Sequence, residues 1–174
     1  MSSQPPSPAD AFVVAIIAVG MGAAAVIDLR TRRVPNLLTA SLAAAGIGIA
    51  AAGMGRIGLG ASLLGFLLGL AFMLPGHLFG ATGAGDVKLL AAAGALLGPS
   101  DTVLAFLNTA IAGGALALGI ALYRRRLNHT LGATARLVAG HANAARQIEA
   151  PASDNRFAYA PAIAIGVLVV ALSW

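Results

Sequence analysis

Six residues of the chain are acidic, and two of them stand where an acid is costly. Asp28 closes one long apolar run and Asp86 opens another. Ionisable groups at the edge of such runs are functional candidates, because apolar surroundings penalise charge. Two carboxylates brought within a few ångströms cannot both ionise readily, so the pair shares a proton. One can then act as base on a water molecule while the other acts as acid toward a peptide carbonyl. In such a dyad the titration belongs to the pair and not to either member. Each acid also has a plainer reading. Asp28 could pair with Arg32 one turn on, or with Arg30 or Arg33, as a solvated ion pair, and Asp86 could cap the helix it opens. The other four acids suggest no chemistry: Asp10 precedes the first apolar run, Asp101 follows Pro99-Ser100 as an N-cap, and Glu149 and Asp154 fall in a polar stretch.

The elements that must position these acids follow from composition. Of 174 residues, 59% are hydrophobic and only 10% charged, far from the quarter of charged residues in a soluble domain. The expected fold is an all-α polytopic membrane protein, a single membrane-embedded domain over 1–174. A spanning helix needs roughly 20 apolar residues. Runs of that kind lie at about 11–29, 37–54, 57–79, 86–98, 101–123 and 157–174, giving about six transmembrane helices. The fourth is short, and Pro75 is expected to kink the third or end it early. The 22 glycines suit a bundle in lipid, where small residues let helices approach closely. The polar stretch 124–156, with Leu127, Leu131, Leu137 and Val138 among Arg, Asn and His, reads as a basic amphipathic helix lying along the interface before the last span.

Basic residues set the orientation. With the N-terminus and C-terminus both outside, every Lys and Arg except Arg56 falls on the cytoplasmic side. Span one then ends, and span four begins, at that same side. Asp28 and Asp86 are therefore expected at matching depth, facing the cytoplasm.

The residues around both acids carry a resemblance. Gly83-Ala84-Gly85-Asp86-Val87-Lys88 resembles the Gly-x-Gly-Asp motif of intramembrane aspartyl proteases, in the form found in type IV prepilin peptidases. Glycines before the acid would let the backbone bend and a peptide approach closely. Lys88 is expected to snorkel to the interface or to bias the charge of Asp86. Asp28-Leu29-Arg30-Thr31-Arg32-Arg33-Val34-Pro35-Asn36 resembles the family segment in which the first catalytic Asp precedes a basic stretch and a hydrophobic-Pro-Asn turn. Pro35 and Asn36 would break and cap the chain before the second span. Tyr159-Ala160-Pro161-Ala162-Ile163-Ala164-Ile165-Gly166 resembles the segment opening the family's last helix. The resemblance implies Asp28 and Asp86 as the catalytic pair, with Gly83, Gly85, Lys88, Pro35 and Asn36 shaping the site. It implies prepilin and pseudopilin precursors as substrates, cleavage at the cytoplasmic face of the bacterial inner membrane, and a pilus assembly machine as a further partner. Larger family members carry a cysteine-containing domain that binds zinc and methylates the product. Without cysteines, this chain resembles the short branch serving Flp, or tight-adherence, pili, which lacks the methyltransferase domain.

The remaining signals are weaker. The absence of Cys removes disulfides, thiolate metal sites and cysteine nucleophiles. His77, His129 and His141 lack ligand spacing, so no metal and no organic cofactor are expected. The net charge of +5 sits in clusters between apolar runs with few aromatic residues, which points to membrane lipids and not to nucleic acid. Arg124-Arg125-Arg126 reads as a stop-transfer and headgroup anchor, with contact to substrate or an assembly partner as the alternative. Trp174 suits an interfacial belt. Two rival functions are a small proton-coupled transporter, whose repeated halves with broken helices are not evident, and a non-catalytic subunit of a secretion or pilus assembly machine.

Overall fold

A computed structural model describes residues 8–80, 82–123 and 159–174, with the side chains of 120–123 left aside. Among the described residues the chain forms α1 (Pro8–Thr31), α2 (Asn36–Ala51), α3 (Leu59–Leu78), α4 (Ala84–Leu97), α5 (Pro99–Tyr123) and α6 (Ala160–Ala171), with no strand. The chain divides into two units, Met1–Gly113 with Ala158–Trp174, and Gly114–Phe157. The second contributes only the end of α5 to the described residues, where Leu116 and Leu118 are exposed. The amphipathic helix expected over 124–156, with His129 and His141, lies outside the described residues.

α4 is the centre of the first unit. Val87 and every residue from Leu89 to Leu97 are buried, because small side chains on α4 and its neighbours let backbones meet. A Cβ on Gly69 of α3 would lie 2.6 Å from the Leu90 carbonyl oxygen, and one on Gly46 of α2 would lie 2.8 Å from the Ala95 carbonyl carbon. Gly65 of α3 and Gly94 face each other with no room for a side chain on either. This is packing by close approach, the mode expected in lipid. Ser62, fully buried on α3, donates to the Ala95 carbonyl oxygen at 2.7 Å across the same crossing. α4 packs mainly on α3 and α2, whereas α1 packs mainly on α6 and meets α4 only narrowly.

The outward faces are apolar as well. Val19 on α1, Leu64 and Leu67 on α3, and Leu107 and Ile111 on α5 are all exposed, and water would not tolerate such a surface. α1, α3 and residues Pro99–Gly119 of α5 are long and apolar enough to cross a membrane. α2, α4 and α6 have 16, 14 and 12 residues, short of the roughly 20 a full crossing takes. The expected spans therefore shrink at 37–54, 86–98 and 157–174. Pro75 does not end α3, which continues through Leu78 to its C-cap at Phe79.

Consecutive helices run in opposite directions. One end gathers Asp10, Arg56, Asp101 and Trp174: Arg56 Nε lies 3.6 Å from Asp10 Oδ1, the Arg56 guanidinium stands 4.4 Å from the Trp174 ring centre, and Trp174 Nε1 donates to Asp101 Oδ2 at 2.9 Å. Two expectations change here. Asp101 lies inside the first turn of α5, which starts at Pro99, and is a partner of Trp174 where an N-cap was expected. Trp174 is tied to Asp101 and Arg56 and not merely placed at an interface. The opposite end gathers Asp28, the 32–36 connection, the start of α4 and the start of α6.

Candidate active site

The end of α1 is shaped to turn sharply. The Thr31 hydroxyl donates to the Ile27 carbonyl oxygen at 2.9 Å, and the Arg32 N–H donates to the Asp28 carbonyl oxygen at 2.7 Å. Arg32 takes a left-handed φ of 53°, which closes many helices but is uncommon for a residue with a Cβ. Pro35 then stands at the N-cap position of α2 with extended backbone, φ −64° and ψ 134°, and forms no side-chain cap. Asn36 is the first helical residue and not the cap. Its Oδ1 instead accepts a hydrogen bond from Lys88 Nζ at 2.9 Å, 52 residues away in sequence. Lys88, exposed, thus ties the start of α2 to the first turns of α4.

Asp86 is the third residue of α4, and Gly83 is the N-cap. The Gly83 N–H donates to Asp86 Oδ2 at 3.0 Å, which is the returning half of a capping box. The capping role weighed for Asp86 is therefore real but is played from the third helical position, three residues after the N-cap. The glycines act through space and not through bending. Gly83 has φ −75°, open to any residue, but a Cβ there would lie 3.1 Å from Asp86 Oδ2. On Gly85, a Cβ would lie 3.1 Å from Val34 Cβ, so glycine lets the 32–36 connection lie directly on α4.

Asp28 is 5% exposed and Asp86 is 7% exposed, so Asp28 is not a solvated juxtamembrane residue. Its Oδ2 accepts from the Ala160 N–H at 3.2 Å, across 132 residues of sequence. Ala160 opens α6, where N–H groups lack a partner within the helix. Asp28 lies near enough for its charge to act at Asp86. The fold thus gathers both acids at one end of the bundle, each with an oxygen held by a backbone N–H at a helix start. The positive end of a helix dipole favours a negative charge at such a place.

Tyr159, directly before α6, is a site residue that sequence reasoning quoted only as part of the last segment. It is half-buried, and burial pushes its phenol above the usual range, with the Asp86 carboxylate acting in the same direction. The one available signal was an aromatic phenol just ahead of Ala-Pro at the start of an apolar run. His77, by contrast, is engaged at 3.1 Å with the Thr82 carbonyl oxygen, and among the described residues no group of His, Asp and Glu is placed to hold a metal.

The sequence pattern of the type IV leader peptidase family matches residues 15–118, which include both acids and the connections that carry them. The chain belongs to that family. It is a prepilin leader peptidase, a hydrolase of the aspartic type, and its apolar helices are those of a membrane protein. No curated protein and no solved structure matches the chain. α6 lies beyond the matched residues, so the leader peptidase's hold on Asp28 through Ala160 comes from the structure alone.

Proposed function

We propose that Asp28 and Asp86 are the catalytic dyad of this leader peptidase. In this reading one carboxylate takes a proton from water as it attacks the scissile carbonyl. The other, protonated, donates to the carbonyl oxygen; when the resulting gem-diol collapses it takes that proton back, while the first carboxylate passes the proton from water to the leaving amine. Gly83 leaves room beside the Asp86 carboxylate, Gly85 lets the 32–36 connection lie on α4, and Lys88, Asn36 and Pro35 hold that connection in place. The observation that carries the reading is that two acids remote in sequence are both buried at one end of the bundle, within electrostatic reach of each other. Buried acids are rarely left in such proximity without use.

The finer assignments complete the proposal. The whole chain acts as one membrane-embedded domain with six passes. Its N- and C-termini lie outside, and the dyad faces the cytoplasm at the inner-membrane boundary, in keeping with the clustering of basic residues toward the dyad end. The substrates are Flp-type prepilins and pseudopilins, delivered to a pilus assembly machine. Asp28→Asn and Asp86→Asn, made singly and assayed on a prepilin in vesicles, are each expected to lower cleavage at least a thousandfold while remaining folded. Wild-type cleavage by either variant would remove that residue from the dyad.

A further inference from the structure

α6 meets α5 along one face. Ala105, Thr109 and Gly113 recur every fourth residue on α5, all buried, and that spacing places them on one side of the helix. A side chain on Gly166 of α6 would strike Thr109 and Ala105, so the two backbones touch there. Gly113 is the last member of the row, and it receives the Tyr159 ring. A Cβ on Gly113 would lie 2.8 Å from Tyr159 Cε2, 3.0 Å from Cζ and 2.9 Å from the phenol oxygen.

Tyr159 also governs how α6 begins. Its carbonyl oxygen accepts from the Ala162 and Ile163 N–H groups at 3.0 and 3.2 Å. Pro161 supplies a fixed φ in the first turn and has no N–H to satisfy. The Ala160 N–H is directed to Asp28. Because α1 meets α4 only narrowly, direct packing between the two aspartate helices does little to set the direction of the Asp28 carboxylate. The start of α6 does more.

We propose that Tyr159 is a positioning residue of the peptidase: its ring, seated on the bare backbone of Gly113, fixes the start of α6 and so aims the Ala160 N–H at Asp28. The inference rests on the dyad reading. Tyr159 acts through Asp28 and does not touch the scissile bond. The ring edge and the phenol oxygen both lie against Gly113, so it is the bulk of the side chain that does the seating. Gly113 matters because it is absent as a side chain. The role belongs to turnover and not to substrate affinity, since a misdirected carboxylate weakens the transition state and leaves peptide binding alone.

The test is a double-mutant cycle on the full chain, reading kcat and KM for prepilin cleavage in detergent, with Asp28→Asn in the same series. Gly113→Ala is expected to lower kcat about tenfold at unchanged KM, on the scale of a sub-ångström displacement at a reacting group. Tyr159→Ala is expected to do the same, since it removes the side chain that Gly113 receives. In the Tyr159→Ala background, adding Gly113→Ala is expected to change kcat by less than about twofold, because no ring is left to displace. Thermal midpoints report folding for every variant. Full kcat in Gly113→Ala, or additive losses in the double variant, would overturn the proposal. An active Asp28→Asn would instead bring down the dyad reading beneath it.

Discussion

Gly85→Ala isolates what the Gly-x-Gly-Asp segment does in this peptidase. The added methyl would sit 3.1 Å from Val34 Cβ and 3.5 Å from the Val34 backbone nitrogen and carbonyl oxygen. Ordinary contact begins near 3.4 Å, so the 32–36 connection must retreat by a few tenths of an ångström. That connection joins the end of α1, with Asp28, to Asn36 at the start of α2, so both shift relative to Asp86. If a displacement of 1 Å at a reacting group costs about a hundredfold in rate, about 0.3 Å costs roughly fourfold, or about 0.8 kcal/mol in the barrier. Stability moves differently. Mild overpacking costs about 1 kcal/mol, and replacing Gly by Ala in a helix returns about the same amount. The expected variant therefore has a thermal midpoint within a few degrees of wild type and a kcat about fourfold lower. Initial rates at saturating prepilin, with thermal unfolding in the same detergent, measure both. Wild-type kcat in Gly85→Ala would refute the argument that close approach at this glycine sets the dyad. A rate loss that merely tracked the fraction of unfolded protein would refute it equally.

Three further outcomes follow from other contacts. Lys88→Met and Asn36→Ala each remove one partner of the 2.9 Å bond between α4 and α2. Both side chains are exposed, so stability should fall by under about 1 kcal/mol, and cleavage by the double variant should match that of the worse single variant; fully additive losses would show that the two residues work apart. Gly69→Ala places a methyl 2.6 Å from the Leu90 carbonyl oxygen and should lower stability by about 1–3 kcal/mol in thermal unfolding, whereas Gly48→Ala, with open space around its Cβ, should be neutral or slightly stabilising. Trp174→Phe removes the indole N–H that Asp101 accepts; a loss of about 0.5–1.5 kcal/mol in stability is expected, with kcat unchanged because the cluster lies at the end of the bundle away from the dyad.

Local chemistry in the sequence reached much of this site, and its failures share one cause. Asp28, Asp86 and the glycines beside Asp86 stood out because acids and glycines at the edges of apolar runs need a reason. The alternation of apolar runs with basic clusters gave the helix order, and hence a common end for the two acids. Partnerships between helices were not legible. Asn36 looked like a cap because Pro-Asn before an apolar run usually is one, yet a lysine 52 residues away claims its side chain. Asp101 and Trp174 were read separately for the same reason, although each is the other's partner. Periodicity gave no help in finding these pairs. In lipid the outward faces are as apolar as the inward ones, so no stripe marks which side of a helix meets which neighbour.

The backbone's part in the site was hidden more deeply still. No side chain advertises that the Ala160 N–H will reach Asp28, or that the Gly83 N–H will reach Asp86. Both follow from the same rule: the first turn of any helix has donors with no partner inside it, and α4 and α6 begin at the end of the bundle where α1 leaves its carboxylate. A short α4 assists this. With 14 residues it spans about 21 Å at 1.5 Å per residue, less than the roughly 30 Å of a hydrocarbon core. Gly65 lies on Gly94 and Gly69 on Leu90, so in the same antiparallel register Asp86 falls level with about Met73, short of the end of α3 at Leu78. The length that made the fourth apolar run look weak as a membrane span is what sets its acid below the rim of the bundle.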